Sequence, residues 1–122
     1  MNVTFFSELE DGSSNNFSTS KEIPEDSILG GGDFTKDNIG ELLSCFRSGH
    51  STESDNLWLL STSFSETLST IDDDSLKGVA THWAEESSWG GTDANENELA
   101  NHLFELKCAY SSSSKRIWVF FE

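Results

Sequence analysis

The sequence predicts a single α+β domain over residues 1–122, in which about three helices pack on a mixed sheet of three to four strands. Two runs, 56–61 and 116–121, are apolar at nearly every position, which is typical of strands buried on both faces. Other segments repeat apolar residues every three or four positions, which indicates helices. The length of 122 residues fits one domain, and nine Phe and four Trp offset an apolar fraction of only 34%.

The N-terminal part of the chain is predicted to hold one strand and a long connection. Residues 2–9 contain a valine and two phenylalanines and indicate a short strand. Residues 10–34 are rich in Ser, Asn and Gly and predict a long loop, with an added hairpin as the alternative that the sequence leaves open. The stretch 30–36 lacks the Gly-Lys-Ser/Thr spacing of a phosphate-binding loop, so we interpret its glycines as part of that connection.

The middle of the chain predicts a helix followed by a central strand. Thr35 can cap a helix that runs to Phe46, since its apolar residues share one face. We expect Gly49 to end this segment, because glycine readily adopts the left-handed conformation found after helix C-termini. Residues 56–61 then predict a buried central strand.

The C-terminal half predicts two helices and a closing strand. Residues 63–71 are compatible with either a strand or a helix, because helical spacing of apolar residues competes with a high Ser and Thr content. The aspartates at 72–74 precede a helix over 75–86, where acids favour the positive end of the helix dipole. A second helix over 95–110 is capped by its first asparagine, and residues 116–121 form the closing strand.

The charge of the chain restricts the chemistry of its partners. It has 22 acidic residues against seven Lys and Arg, a formal net charge of −15. Too few bases remain to form a phosphate-binding stripe, so direct nucleic-acid binding and anionic membrane surfaces are not expected. No run is long enough to span a membrane, and the first residues lack the basic start of a secretory signal. We therefore expect a cytoplasmic protein whose partner is basic.

The candidate chemical motifs are each incomplete. His82 and His102 are followed three positions later by Glu, but a zinc-protease helix needs two histidines. Residues 93–98 open like a calcium loop but lack the glycine required at its sixth position. Cys45 and Cys108 fall in predicted amphipathic helices and are interpreted as reduced, buried thiols. We therefore predict no enzyme activity, no cofactor and no metal.

A concentration of acids around one tryptophan is the predicted binding surface. If the helices over 75–86 and 95–110 pack as an antiparallel pair, the end of the first lies near the start of the second. A tryptophan in the loop between them could anchor a partner, because interface hot spots favour aromatic residues inside a polar rim. Its alternative role is a lid on the core. The predicted partner-binding residues are Asp72, Asp73, Asp74, Glu85, Glu86, Trp89, Asp93, Glu96 and Glu98.

These features favour a small acidic protein-binding inhibitor, most concretely a bacterial immunity protein that occludes the active site of a basic toxin or nuclease. The closing helix and strand, residues 95–121, are loosely similar to the end of the barstar-type inhibitors. That resemblance implies steric plugging by acidic helices. Two alternatives stay open: a phage-type DNA mimic that blocks a host DNA-binding or defence protein, and an accessory domain whose charge is incidental.

Overall fold

The computed structural model of the protein describes residues 2–8, 19–85, 95–110 and 116–122. This part of the chain forms one five-stranded antiparallel sheet and four α-helices, which confirms the α+β class. The sheet is antiparallel throughout rather than mixed, and it has more strands and helices than the sequence predicted. The elements are β1 (Asn2–Ser7), β2 (Ile28–Asp33), α1 (Lys36–Cys45), β3 (His50–Ser54), β4 (Leu57–Leu60), α2 (Thr62–Thr70), α3 (Asp73–Ala84), α4 (Glu96–Tyr110) and β5 (Ile117–Phe121), with short 3-10 turns at Ser20–Glu22 and Glu25–Ser27.

The strand order places β5 at the centre of the sheet. The order is β2-β1-β5-β4-β3, so the sequential pairs β1–β2 and β3–β4 flank the last strand. In register, Val119 faces Phe5 of β1 on one side and Trp58 of β4 on the other. The central position predicted for the two apolar runs is confirmed, because β4 and β5 are paired on both sides.

Both faces of the central strands are buried. The inner face carries all four helices and contains most of the core, including Phe5, Trp58 and Val119. Alternate residues point to the outer face, because successive side chains in a strand lie on opposite sides. The outer cluster consists of Phe6, Ile23, Leu57, Leu59, Trp118 and Phe120. This two-sided burial explains why β4 and β5 lack the alternation of a half-exposed strand.

The first helix begins as predicted and ends differently. The side chain of Thr35 accepts a hydrogen bond from Asn38 N, and the side-chain oxygen of Asn38 accepts one from Thr35 N. At the other end Ser48 N donates to Leu43 O at 2.8 Å, the long bond of a Schellman motif. Arg47 takes the left-handed position of that motif, with φ 54°. The expectation that Gly49 ends the helix is therefore wrong.

The ambiguous segment 63–71 is helical. In α2 the buried residues Phe64 and Leu68 lie one turn apart and face the core. Its hydroxyl groups bond to carbonyls of the helix itself, as Ser65 does to Thr62 O at 3.0 Å and Thr70 to Glu66 O at 3.0 Å. The Ser and Thr content is thus compatible with a helix, and core packing decides the conformation.

The predicted long loop contains an edge strand. Residues 28–33 form β2 and pair antiparallel with β1, so the interpretation of the glycines as a loop is wrong and the hairpin alternative is closer. Close packing requires glycine here. A Cβ on Gly31 would lie 2.3 Å from Val3 O, and a Cβ on Gly32 would lie 2.8 Å from a ring carbon of Phe34. Residues 9–18 lie outside the described residues. The strand β3 was not predicted, because its five residues are all polar.

A buried hydrogen bond links α1 and α3 within the helix layer. The indole N–H of Trp83 in α3 donates to the carbonyl oxygen of Asn38 in α1 at 2.8 Å. Trp83 is almost fully buried, and its ring packs on Phe34 with 5.3 Å between ring centroids. Throughout the parts of the chain that the structure describes, every helix falls short of the length and apolarity that crossing a membrane requires.

Candidate partner-binding surface

The helices α3 and α4 pack side by side and run antiparallel, as the sequence analysis assumed. Lys107, in the last turn of α4, donates to the carbonyl oxygen of Ile71, just before α3. Its Nζ also lies 3.8 Å from an oxygen of Asp73, at the start of α3. The C-terminal end of α4 therefore lies beside the N-terminal end of α3, and the α3 end lies on the side where α4 begins.

The three aspartates before and within the first turn of α3 have local structural roles. The Asp72 carboxylate accepts a hydrogen bond from Ser75 N at 2.7 Å, so Asp72 is the N-cap residue of the helix. This backbone hydrogen bond is the main cause of a lowered pKa at Asp72. Asp73 lies near Lys107, and Asp74 is exposed in the first turn, where the helix dipole favours an acid.

The predicted acidic set is divided between two ends of the helix pair. Glu85 follows α3, and Glu96 and Glu98 occupy the first turn of α4. The length of α3 separates this end from the aspartates by about 17 Å, at 1.5 Å rise per residue. The structure therefore places Glu85, Glu96 and Glu98 at one end and Asp72, Asp73 and Asp74 at the other. Glu86, Trp89 and Asp93 lie outside the described residues.

Glu85 differs from the other acids at its end of the pair. Glu96 and Glu98 begin a helix, where carboxylates are stabilised by the positive end of the dipole, and Asn95 caps that helix by accepting from Asn97 N and Glu98 N. Glu85 is the C-cap residue of α3, next to the negative end of the dipole. The helix dipole therefore stabilises the carboxylates of Glu96 and Glu98 and destabilises that of Glu85.

The cysteines are less buried than predicted. Both thiols are free; Cys108 is exposed on α4, which contradicts the expectation of burial, because it lies opposite the apolar stripe of that helix. Cys45 is half-buried and lines a cavity of about 210 Å³ with His82, between α1 and α3. Ser44 and Val79 complete the described lining, so this cavity has no second acid or base beside the Cys–His pair.

His50 and His102 both pack against aromatic rings. His102 packs edge-on against Phe34, with 5.3 Å between ring centroids. His50 stacks on Trp58 at 3.7 Å, and burial lowers the pKa of His50. Within residues 2–8, 19–85, 95–110 and 116–122, no group of three or more His, Cys, Asp or Glu is arranged to hold a metal ion.

A groove at the β1–β2 edge is a feature that the sequence reasoning missed. It has a volume of about 530 Å³ and lies beside the glycines of β2. The apolar pair Ile28 and Leu29 just before the glycines was the available signal for a strand at this place. The three glycines that follow favoured a loop interpretation, because glycine is depleted in strands and typical of turns.

The sequence matches no protein-family model, and searches of curated proteins and of solved structures found no match. The resemblance of residues 95–121 to the barstar-type inhibitors therefore gains no support from these comparisons. The function has to be argued from the fold and surface of this chain.

Proposed function

We propose that this protein is a non-catalytic inhibitor that binds a basic protein in the cytoplasm, most concretely an immunity protein that occludes the active site of a toxin such as a nuclease. The observation that carries the proposal is the exposed acidic end of the α3–α4 pair, formed by Glu85, Glu96 and Glu98. We name these three residues the acidic end.

The position of Glu85 supports a role in binding. A carboxylate at a helix C-terminus is destabilised by the dipole, and further acids nearby add repulsion. No basic side chain of the described segments lies within ion-pair distance of Glu85. A cationic partner would relieve both costs, so the arrangement favours the complex over the free protein.

The overall charge supports rapid capture. A formal charge of −15 produces an attractive field for a cationic protein and raises the rate of encounter. Steering of this kind weakens as salt screens the field, over a Debye length of about 8 Å at physiological ionic strength. A salt-dependent association rate is therefore the expected kinetic signature.

The test reverses the charges of the acidic end. Proteins captured from a lysate of the source organism by the wild-type chain are identified by mass spectrometry, and the association of the retained basic protein is then measured by stopped flow at several salt concentrations. We expect Glu85→Lys, Glu96→Lys and Glu98→Lys together to slow association by at least about tenfold and to flatten its salt dependence.

The matched control is Glu53→Lys, Asp55→Lys and Glu66→Lys, which changes the net charge equally but lies on β3, the turn after it and α2, away from both proposed binding surfaces. A smaller slowing in this control shows that position matters as well as total charge. Equal slowing in both variants would contradict the assignment of the acidic end, and unchanged kinetics in both would contradict charge-driven binding altogether.

Competition with duplex DNA separates the inhibitor from the DNA-mimic alternative. A mimic occupies the DNA site of its target, so excess duplex should displace it. An inhibitor of a toxin without a DNA site should be retained. The enzymatic class of the captured protein then decides cases in which the toxin itself acts on DNA.

A further inference from the structure

Within the described residues, the strand β2 lies at an edge of the sheet, and no strand among them pairs with the outer side of its backbone. Its partner in the sheet is β1, and the strand order ends with it. Ile28 and Gly31 are exposed, and Leu29, Gly30 and Gly32 are partly exposed. An open edge presents a row of N–H and C=O groups to which another extended segment can pair.

The outer face of this edge carries the groove of about 530 Å³. The register places Gly31 opposite Thr4 and Ile28 opposite Phe6, so these residues share the outer face. Thr4 and Gly31 both line the groove on this face. Lys21, Ile23 and Glu25 form one side of the groove.

Ile28 gives the groove an apolar contact point. Its side chain is 39% exposed, more than that of any other large hydrophobic residue in the described segments. It lines the groove at the start of β2. An extended segment paired with β2 would cover Ile28 and place alternate side chains over Gly31.

The negative charge around this edge favours a positively charged binding segment. Residues 19–33 contain four acids and one base, Lys21, a net of three negative charges. Glu25 lines the groove itself, and Asp26 is exposed beside it. A segment with Lys or Arg at alternate positions complements this charge, because side chains on one face of a strand recur at every second residue.

A second copy of the chain complements the edge poorly. Two copies would each carry a formal charge of −15. Antiparallel pairing of β2 with itself would also bring Asp33 of one copy toward the acids at 25–26 of the other, and like charges across strands are destabilising.

We propose that β2 binds an extended cationic segment of a protein partner by strand addition, with backbone pairing along Ile28–Asp33 and basic side chains directed at Glu25 and Asp26. The sign of the partner's charge rests on the proposed function. The site uses different residues from the acidic end, so separate variants can test the two.

The probe is a fluorescein-labelled heptapeptide that alternates Lys and Val and begins and ends with Lys. We expect it to bind the full chain, and to slow hydrogen exchange of the amides at 28–33 but not of those at 50–54 on the opposite edge. A peptide with the same side chains but with every inner amide N-methylated should bind at least about tenfold more weakly, because it cannot donate backbone hydrogen bonds.

Paired variants test the charge at the edge. Glu25→Gln with Asp26→Asn should weaken binding of the Lys–Val peptide several-fold. The control Glu53→Gln with Asp55→Asn removes the same charge beside β3 and should leave the affinity within a factor of two. The triple reversal of the acidic end should leave hydrogen-exchange protection at 28–33 in place.

Three results would overturn the proposal. They are equal binding of the N-methylated peptide, equal protection of 28–33 and 50–54, and protection of 28–33 that rises with protein concentration without peptide, which would indicate a second copy. If the peptide binds at 28–33 while the acidic-end variant captures its partner normally, the proposed function fails at its surface and the strand-addition site stands. If the peptide does not bind at 28–33 while the acidic-end variant loses its partner, the inhibitor proposal is supported and the strand-addition site is excluded.

Discussion

The two edge strands of the sheet, β2 and β3, differ in composition and in what packs against them. Among the described strands, β2 and β3 each pair with one neighbour, and each pairing contains an irregularity in register. The sequence of β3 is polar at all five positions, and the strand is held in a tight hairpin with β4. The sequence of β2 is apolar or glycine until its final aspartate, and its inner side is covered by α4. The polar side chains of β3 discourage pairing with another strand. The helix α4 covers the inner face of β2 but does not add polar side chains to that strand.

The difference teaches which edge is available for binding. Polar and charged edge strands discourage pairing with other chains, and β3 carries Glu53 and a hydrogen bond from Ser51 to it at 3.0 Å. No such residue interrupts Ile28–Gly32. The high negative charge of the whole chain then limits which strands can add to β2.

The largest expected effect is a difference in stability between a variant that weakens the packing of β2 and one on the surface of β3. Leu106 of α4 lines a small cavity with Gly30 and Gly31 and is almost fully buried. We expect Leu106→Ala to lower the free energy of unfolding by about 3 kcal/mol, through lost burial and a new cavity. Thr52→Ala on exposed β3 should cost about 0.5 kcal/mol or less. Urea denaturation of both variants checks this, and equal losses would contradict the helix-anchored description of β2.

A second prediction contrasts two neighbouring glycines within β2. A Cβ on Gly31 would collide with Val3 O, so Gly31→Ala should destabilise the protein by about 2 kcal/mol. A Cβ on Gly30 would lie 3.8 Å from Leu106 Cδ1, an ordinary contact, so Gly30→Ala should stabilise it by about 0.5 kcal/mol. Thermal unfolding of the pair measures the difference. The same sign for both variants would show that chain entropy, and not close approach to β1, governs this strand.

The smallest expected effect concerns the pH response of the β3 edge. Burial lowers the pKa of His50, so the unfolded chain binds a proton more readily than the folded one. Stability from the neutral imidazole is present above the ordinary histidine pKa and is lost as pH falls through it. We expect a slight decrease in Tm from pH 8 to pH 5 at this site. His50→Phe retains a ring on Trp58 and should remove that part of the pH dependence; an unchanged pH profile would exclude His50 as its source.

The central strands could be predicted because their composition alone requires burial. Trp58 and its neighbours, and Ile117–Phe121, are apolar on both faces and can lie only inside a sheet with two covered sides. The strand β2 could not be predicted in the same way. A Cβ on Gly32 would meet Phe34 and His102, so glycine is needed at this strand position because of how Phe34 and α4 pack.

The helix ends and the candidate surface show the same limit. The caps at Thr35 and Asp72 follow from local sequence, whereas α1 ends with Arg47 in the left-handed region, a conformation that the residue type does not indicate. The acids were visible as a cluster in the sequence. Their division between two ends of the helix pair follows from the direction and length of α3, which a count of nearby residues does not contain.

The central position of β5 has a consequence for the way this chain is made. Synthesis proceeds from the N-terminal side, so β1–β2 and β3–β4 emerge long before the strand that joins them. Each pair alone exposes an apolar edge, and the contact between Phe5 and Val119 spans most of the sequence. Such distant contacts slow folding and prolong the exposure of unpaired strands. The growing polypeptide therefore lacks the strand that joins β1 to β4 until residues 117–121 have been synthesised.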